Sequence, residues 1–326
     1  MSDDLKDSQK KLNTFTSTGI KLMRHGDTLA KLNKGIPTPV SLQIAPTEIC
    51  SLDCKFCSVM NRSYQYVFDW EKLKDALDRF FKLGVQTVEI TGGGDPLLYP
   101  QINELVAHCL DAGKKVGMIT NGIGINKRLD PKLQSRMTWL RISANTLDYR
   151  DHLDLPSNFN PEGTLGFSYC WTENLSTEKQ LLRVKEIADN NNVKYIRLVP
   201  NCLDSNEDML TKWDPLLEPM AERLGHPVFY QPKNFGSPDQ CFLGYIKPFL
   251  YADEYVYPCS STVLNSEADK QFNSNFRWFH YSETERIYSE PMSSIVDTKR
   301  CEHCVFVPQN NQLIYAINKH ENEEFF

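Results

Sequence analysis

Strand-like and helix-like segments alternate from about residue 38 to residue 205, and this rhythm constrains the fold more than any single residue does. "PVSLQIA" sets Val40, Leu42 and Ile44 at every second position, a strand pattern. "DWEKLKDALDRFFKLG" repeats Leu73, Leu77, Phe80 and Phe81 at helical spacing and closes on Gly84 as a C-cap. "VQTVEIT", "KVGMIT", "TWLRISA", "TLGFSYCW" and "VKYIRLVP" read as five more strands, with "INELVAHCLDAG" and "STEKQLLRVKEIADNN" as helices. The later strands begin near residues 85, 115, 138, 164 and 193, a repeat of roughly 25 to 30 residues that fits a βα unit. The chain is therefore predicted to be α/β, with six parallel strands left open or curled into a partial (β/α)6 barrel. Chemistry is expected at the carboxyl ends of those strands.

Residues 1–37 are predicted to be a helical or loosely ordered extension and 38–205 the core. Residues 206–240 form a helical linker, where prolines interrupt "LTKWDPLLEPMAERLG", and 241–326 a small, irregular, aromatic-rich C-terminal domain. Lys and Arg number 36 against 42 Asp and Glu, a formal charge of −6, so there is no general attraction to nucleic acid or anionic membrane. A local basic groove stays compatible with that balance. The start has no apolar signal segment, and no apolar run is long enough to span a bilayer, so a cytoplasmic protein with no membrane partner is expected. Ten cysteines in such a setting point to metal ligands or redox groups rather than disulfides. Seven fall in two groups: Cys50, Cys54 and Cys57, then Cys241, Cys259, Cys301 and Cys304. Cys109, Cys170 and Cys202 are expected to be small buried hydrophobes.

"EICSLDCKFC" follows the first strand directly and spaces its thiols C-x3-C-x2-C. Structural zinc wants four ligands, whereas a three-thiolate loop suits a cubane [4Fe–4S] cluster with one iron left open. A zinc loop and chance clustering are the bland alternatives. With the aromatic Phe56 just before Cys57, the loop resembles that of the radical S-adenosylmethionine (radical SAM) superfamily, whose open iron chelates the methionine moiety of SAM. "EITGGGDPLLYP", with Gly92, Gly93, Gly94 and Asp95, resembles the superfamily's Gly-Gly-Glu-Pro element, which holds the methionine amino group. Here the acid is Asp, one methylene shorter. A Cβ at Gly93 or Gly94 is accordingly expected to obstruct SAM. "ITNG" with Asn121, "RISAN" with Ser143 and "WTEN" with Thr172 and Asn174 close the next three strands. The resemblance covers residues 38 to about 200 and implies a cofactor site of Phe56, Gly92, Gly93, Gly94, Asp95, Asn121 and Ser143.

By composition the second cysteine group suits either zinc or a closed four-thiolate cluster. Cys241 and Cys259 have seventeen residues between them, including the hairpin-like "YADEYVYPC", and "CEHC" supplies Cys301 and Cys304. After a radical SAM core this arrangement resembles the twitch type of auxiliary-cluster domain, a shortened relative of SPASM. The segment after Cys304 has no cysteine, which argues against a further cluster. His303 inside the knuckle is expected to pack toward solvent rather than to ligate.

What the resemblance implies is reductive cleavage of SAM to a 5′-deoxyadenosyl radical, hydrogen abstraction from substrate, and an electron donor such as flavodoxin or ferredoxin. Net oxidation and a radical rearrangement both fit. The 37 residues before the first strand are too few for a peptide-recognition domain, which favours a small polar or nucleotide-type substrate. A modified nucleoside or base, or a peptide, is the alternative substrate. Arg141, Asn145, Arg197 and Asn201, at or near strand ends, are candidates to bind it. A non-catalytic zinc protein with two cysteine sites is the competing class.

Overall fold

The computed structural model describes residues 19–265, 276–290 and 296–318, so the first eighteen residues of the expected extension and the final eight of the chain lie outside the described residues. The six expected strands are present as β1 (Ser41–Ala45), β2 (Thr87–Ile90), β3 (Lys115–Thr120), β4 (Trp139–Ser143), β5 (Thr164–Trp171) and β6 (Tyr195–Pro200). Four more follow: β7 (Val228–Tyr230), β8 (Phe249–Tyr251), β9 (Tyr255–Tyr257) and β10 (Phe279–His280). All ten form one sheet in the order β10-β9-β8-β1-β2-β3-β4-β5-β6-β7. From β8 across to β7 every pair is parallel, while β9 and β10 run antiparallel. The sheet is open, an incomplete barrel with β7 and β10 as its edges.

The strands β7 and β10, and the partner that β8 takes, were not foreseen. β7 lies inside the expected helical linker, past the helix Asp214–Leu224 that carries Pro219. β8 returns from the C-terminal region to pair in parallel with β1, Gln43 opposite Phe249 and Ala45 opposite Tyr251. The hairpin read in "YADEYVYPC" is β8 and β9, turned at Glu254 with φ of 72°.

Local chemistry explains the helices. Asp69 caps Trp70–Lys82 by accepting from Lys72 N, and Gly84, just past the helix end, has φ of 106°. Thr177 caps Glu178–Asn190 in the same way through Gln180 N. Leu73, Ala76, Leu77 and Phe80 of the first helix are buried, as are Leu105, Val106 and Cys109 of Ile102–Asp111. They cover the sheet face formed by Leu42, Ile44, Val88, Ile90, Leu140 and Ile142. The alternate positions, Gln43, Glu89, Arg141 and Arg197, face the inner side and line a cavity.

Glycines on β3 and β5 make room for rings in that lumen. A Cβ on Gly117 would lie 2.0 Å from the Trp139 ring, and one on Gly166 2.2 Å from the Tyr195 ring. Gly166→Ala should therefore force Tyr195 off its position and destabilise the protein by about 1–3 kcal/mol. Urea unfolding measures this; an unchanged midpoint would show that the ring is free to move aside.

Candidate active site

β1 leads into the segment that carries Cys50, Cys54 and Cys57. A bridge between Thr47 and Val67 closes its base, with Glu48 N donating to Tyr66 O (2.9 Å) and Phe68 N to Pro46 O (2.9 Å). Glu48 is buried at 4% exposure. One of its oxygens accepts from the Tyr251 phenol of β8 at 2.5 Å. The other accepts from Ser63 Oγ at 2.6 Å and from the N–H groups of Gln65 at 3.1 Å and Tyr66 at 3.3 Å. A buried carboxylate without donors would be costly. Four converging donors make it an internal anchor for the loop instead.

Each of the three thiols has a donor aimed at it. Leu52 N lies 3.5 Å from Cys50 Sγ, and Asn121 Nδ2 lies 3.8 Å from the same sulfur and 3.2 Å from Ser51 Oγ. The Tyr149 phenol lies beside Cys54 and favours its thiolate. Arg62 directs one guanidinium nitrogen at Cys57 Sγ (3.8 Å) and Val59 O (3.2 Å), the other at Leu52 O (3.1 Å), and stacks on Tyr64. Metal binding requires thiolates. Burial pushes Cys54 up to about 11 and raises Cys50 as well, so these donors act against that burial. Three loop thiols so supported fit an iron–sulfur cluster held by sulfur. Sequence reasoning did not pick out Glu48, Arg62 or Tyr149. Phe56 is half-buried within the loop's turn.

The glycine run after β2 packs on this loop. Gly94 N donates to Thr47 O and Asp95 N to Ile49 O, each at 2.8 Å. A Cβ on Gly94 would lie 2.1 Å from Ile49 O, and one on Gly92 1.6 Å from Gly94 O. On Gly93 it would meet the Tyr251 ring at 2.6 Å. A Cβ at Gly93 or Gly94 therefore meets protein atoms before it could meet any ligand. Asp95 is also engaged internally. Its carboxylate, 4% exposed, accepts from Leu97 N (2.9 Å), from Thr120 Oγ1 (2.9 Å to both oxygens) and from Asn121 N (2.6 Å). It ties the end of β2 to the end of β3.

Ser143 closes β4 as foreseen, and Asn121 closes β3 with its side chain on the cysteine loop. Asn145 is buried and clamps the Cys170 backbone from both sides, Oδ1 accepting at 2.7 Å and Nδ2 donating at 2.8 Å. Asn201 donates to Asp204 at 3.0 Å, Thr172 is half-buried and Asn174 lies exposed. Cys109 is a buried apolar side chain. Cys202 is not: it lines the lumen with Lys233, near Cys57 and Cys170.

The second group assembles as well. Cys259 lies within electrostatic reach of Cys241, Cys304 and Cys301. Burial is the main force raising all four thiols, Cys241 to about 11 and Cys301 to about 12. Asn310, 1% exposed, accepts through Oδ1 from Phe242 N and Leu243 N at 3.0 and 3.2 Å. Its Nδ2 is buried without a conventional partner among the described residues and faces Cys241 and Cys304, favouring their thiolates. Sequence reasoning missed Asn310 too. The His303 ring is half-buried and packs on Phe235 at 5.6 Å. Among the described residues no group of three or more His, Cys, Asp or Glu side chains is drawn together around a single point. No helix of the described residues is long and apolar enough to cross a membrane.

Below the cysteine loop the lumen holds a cavity of about 550 Å³, bordered by Ser58, Gly92, Cys202, Glu89 and Trp139. Lys21 from the N-terminal extension and Gln309 from the helix Val307–Ile317 also border it.

Comparison with known proteins places this geometry. Residues 44–165 match the model of the Radical SAM superfamily. Over 114 residues the chain is 27% identical to GTP 3',8-cyclase of Aquifex aeolicus (strain VF5), covering 33% of this chain and 35% of that protein. Over 112 residues it is 31% identical to Molybdenum cofactor biosynthesis protein 1 of Mus musculus, covering 32% of this chain and 18% of that protein. The match thus spans about a third or less of these relatives' length. In structure the chain is similar to Streptococcus suis SuiB bound to S-adenosylmethionine, with TM-score 0.57 and 16% identity over 88% of this chain and 76% of that one. That likeness is one of fold.

The last two glycines of the run should respond differently to a methyl group. Gly94→Ala drives a Cβ into backbone and is expected to distort the cysteine loop, so anaerobically reconstituted protein should retain less iron at that loop. Gly93→Ala meets a side-chain ring and should cost about 1–3 kcal/mol with iron retained. Iron analysis and thermal unfolding of both variants check this; equal iron in the two would refute the packing argument.

Proposed function

We propose that this chain, which carries a radical SAM domain over residues 44–165, is an enzyme that cleaves SAM at the cysteine loop and abstracts hydrogen from a small polar or nucleotide-type substrate held in the lumen. One observation carries the reading: three donor-supported thiols sit past the carboxyl end of β1, on a loop whose next residues, Ser58 and Val59, border a cavity large enough for a nucleotide. Cys50, Cys54 and Cys57 would hold a [4Fe–4S] cluster, which supplies the electron for SAM cleavage. Cys241, Cys259, Cys301 and Cys304 would hold a second cluster, closed to substrate and suited to electron transfer.

The protein's own contribution is positioning. Arg62, Asn121, Tyr149 and the Leu52 N–H stabilise sulfur-borne charge at the loop. Asp95 fixes the ends of β2 and β3 beside it, and Glu48 fixes the loop to β8. The lumen encloses the substrate against water and stray hydrogen donors. A nucleotide-type substrate is supported by the likeness to a GTP 3',8-cyclase. Oxidation and radical rearrangement both fit the arrangement.

Anaerobic protein with both sites loaded should be brown, with about eight iron and about eight sulfide per chain. Replacing Cys50, Cys54 and Cys57 by Ala should abolish 5′-deoxyadenosine formation from SAM and dithionite while about four iron remain. Continued 5′-deoxyadenosine formation by that variant would sink the reading. Cys301→Ala/Cys304→Ala should leave SAM cleavage intact, and product formation should fall more steeply than cleavage if the second site accepts electrons.

A further inference from the structure

The lumen concentrates positive charge in a chain whose formal charge is −6. Lys21, Arg141, Arg197, Lys233 and Lys247 border the cavity, and Glu89 is the one carboxylate bordering it among the described residues. Glu89 accounts for part of this: it accepts from Lys247 Nζ at 3.0 Å and from Gln43 Nε2 at 2.8 Å. Arg141 and Arg197 lie within electrostatic reach of the same carboxylate, which one charge cannot balance once Lys247 holds it, and neither they nor Lys233 is shown hydrogen-bonded to it. Arg197 reaches Gln231 Oε1 at 3.2 Å, a neutral partner, and Arg141 lies near the face of Trp139 at 5.7 Å. The Nε atoms of both arginines are buried with no hydrogen-bond partner among the described residues.

Buried guanidinium donors without acceptors are costly, and like charges together raise that cost. Burial, reinforced by the Arg141 charge, lowers Arg197 to about 9. Burial, reinforced by Arg197 and Arg141, lowers Lys233 to about 8. Arg141 and Arg197 each lie two residues along the strand from an aromatic ring, Trp139 and Tyr195. Planar guanidinium forks beside aromatic faces match a ligand that has acceptor oxygens at one end and a flat or sugar-like body at the other.

We infer that Arg141, Arg197 and Lys233 form an anion clamp for the phosphate of a phosphate-bearing substrate, a nucleotide or a sugar phosphate, bound in the lumen below the cysteine loop. The inference rests on reading the lumen as the substrate site. Arg141 lies on β4, Arg197 on β6 and Lys233 in the segment just past β7, and all three border the one cavity. Phosphate oxygens would satisfy the orphaned Nε donors and relieve the mutual repulsion, leaving the body of the ligand directed toward Ser58 and Gly92 at the loop.

The test uses reconstituted full-length protein, with binding read by thermal shift and calorimetry for inorganic tripolyphosphate, GTP, ribose 5-phosphate and guanosine. Tripolyphosphate should stabilise the parent protein in a salt-dependent way, and guanosine should not. GTP binding more tightly than tripolyphosphate assigns a nucleotide, whereas ribose 5-phosphate doing so assigns a sugar phosphate. Arg141→Gln/Arg197→Gln should weaken binding of the phosphate probes by about tenfold or more, the loss expected for charge-assisted hydrogen bonds, with SAM binding unchanged. Lys233→Gln, a milder change, should weaken them too, and its ligand-free melting temperature should equal or exceed the parent's because repulsion is relieved. Phosphate probes that fail to bind a parent protein which binds SAM would overturn the clamp and leave the radical SAM reading standing. So would binding undiminished in the variants, or a lower ligand-free melting temperature for Lys233→Gln, which marks a structural cation. Phosphate binding in a parent that neither binds nor cleaves SAM would uphold the clamp and overturn the reading of the reaction.

Discussion

The carboxylate of Glu48 holds together parts of the chain that are distant in sequence. It sits two residues before Cys50, bonds the far side of the same loop through Ser63, Gln65 and Tyr66, and takes the phenol of Tyr251 from β8. That phenol ring also lies where a Cβ on Gly93 would project. Cysteine loop, glycine turn and C-terminal hairpin are therefore fitted around one buried charge. A group satisfied by four donors from two segments resists piecemeal rearrangement, since moving either segment leaves a buried donor or acceptor unmade. The three thiols inherit their placement from it.

Charge is sorted around this anchor by burial. At the loop, single donors face individual sulfurs, which favours the thiolate form without importing a full counter-charge for each. In the lumen the opposite holds, with cations gathered beyond what Glu89 balances. The acidic surplus of the chain thus lies elsewhere than in the cavity. A net charge of −6 says nothing about a pocket whose lining comes from alternate positions of separate strands.

This separates what was legible in the sequence from what was not. β1 to β6 announced themselves through alternation and flanking glycines, because each signal is local. The cysteine loop was legible for the same reason: spacing and position after a strand are properties of one short stretch. β7 is three residues long within a segment read as helical, too short for a periodic signal. The pairing of β8 with β1 joins residues about two hundred positions apart and leaves no local trace. Asp95 was recognised as part of the glycine element, but the direction of its carboxylate depends on Thr120 and Asn121, which only the fold brings near. Asn310, Arg62 and the lumen cations look individually like ordinary polar residues.

The same non-local pairing couples the two cysteine groups. Cys241 precedes β8 and Cys259 follows β9, so the hairpin that donates Tyr251 to Glu48 also spaces two of the four thiols at the second group. β8 in turn is held to β1 through Gln43, Ile44 and Ala45, the residues that lead into the first loop. Ligand binding at the four-thiol group would fix the ends of this hairpin, and the free energy of such binding is folding free energy for whatever it orders. β8 itself, paired with β1 and bonded through Tyr251 to Glu48, supports the first loop without anything bound at the second group. The C-terminal segment is on this view a structural part of the first loop's support, whatever redox role its thiols add.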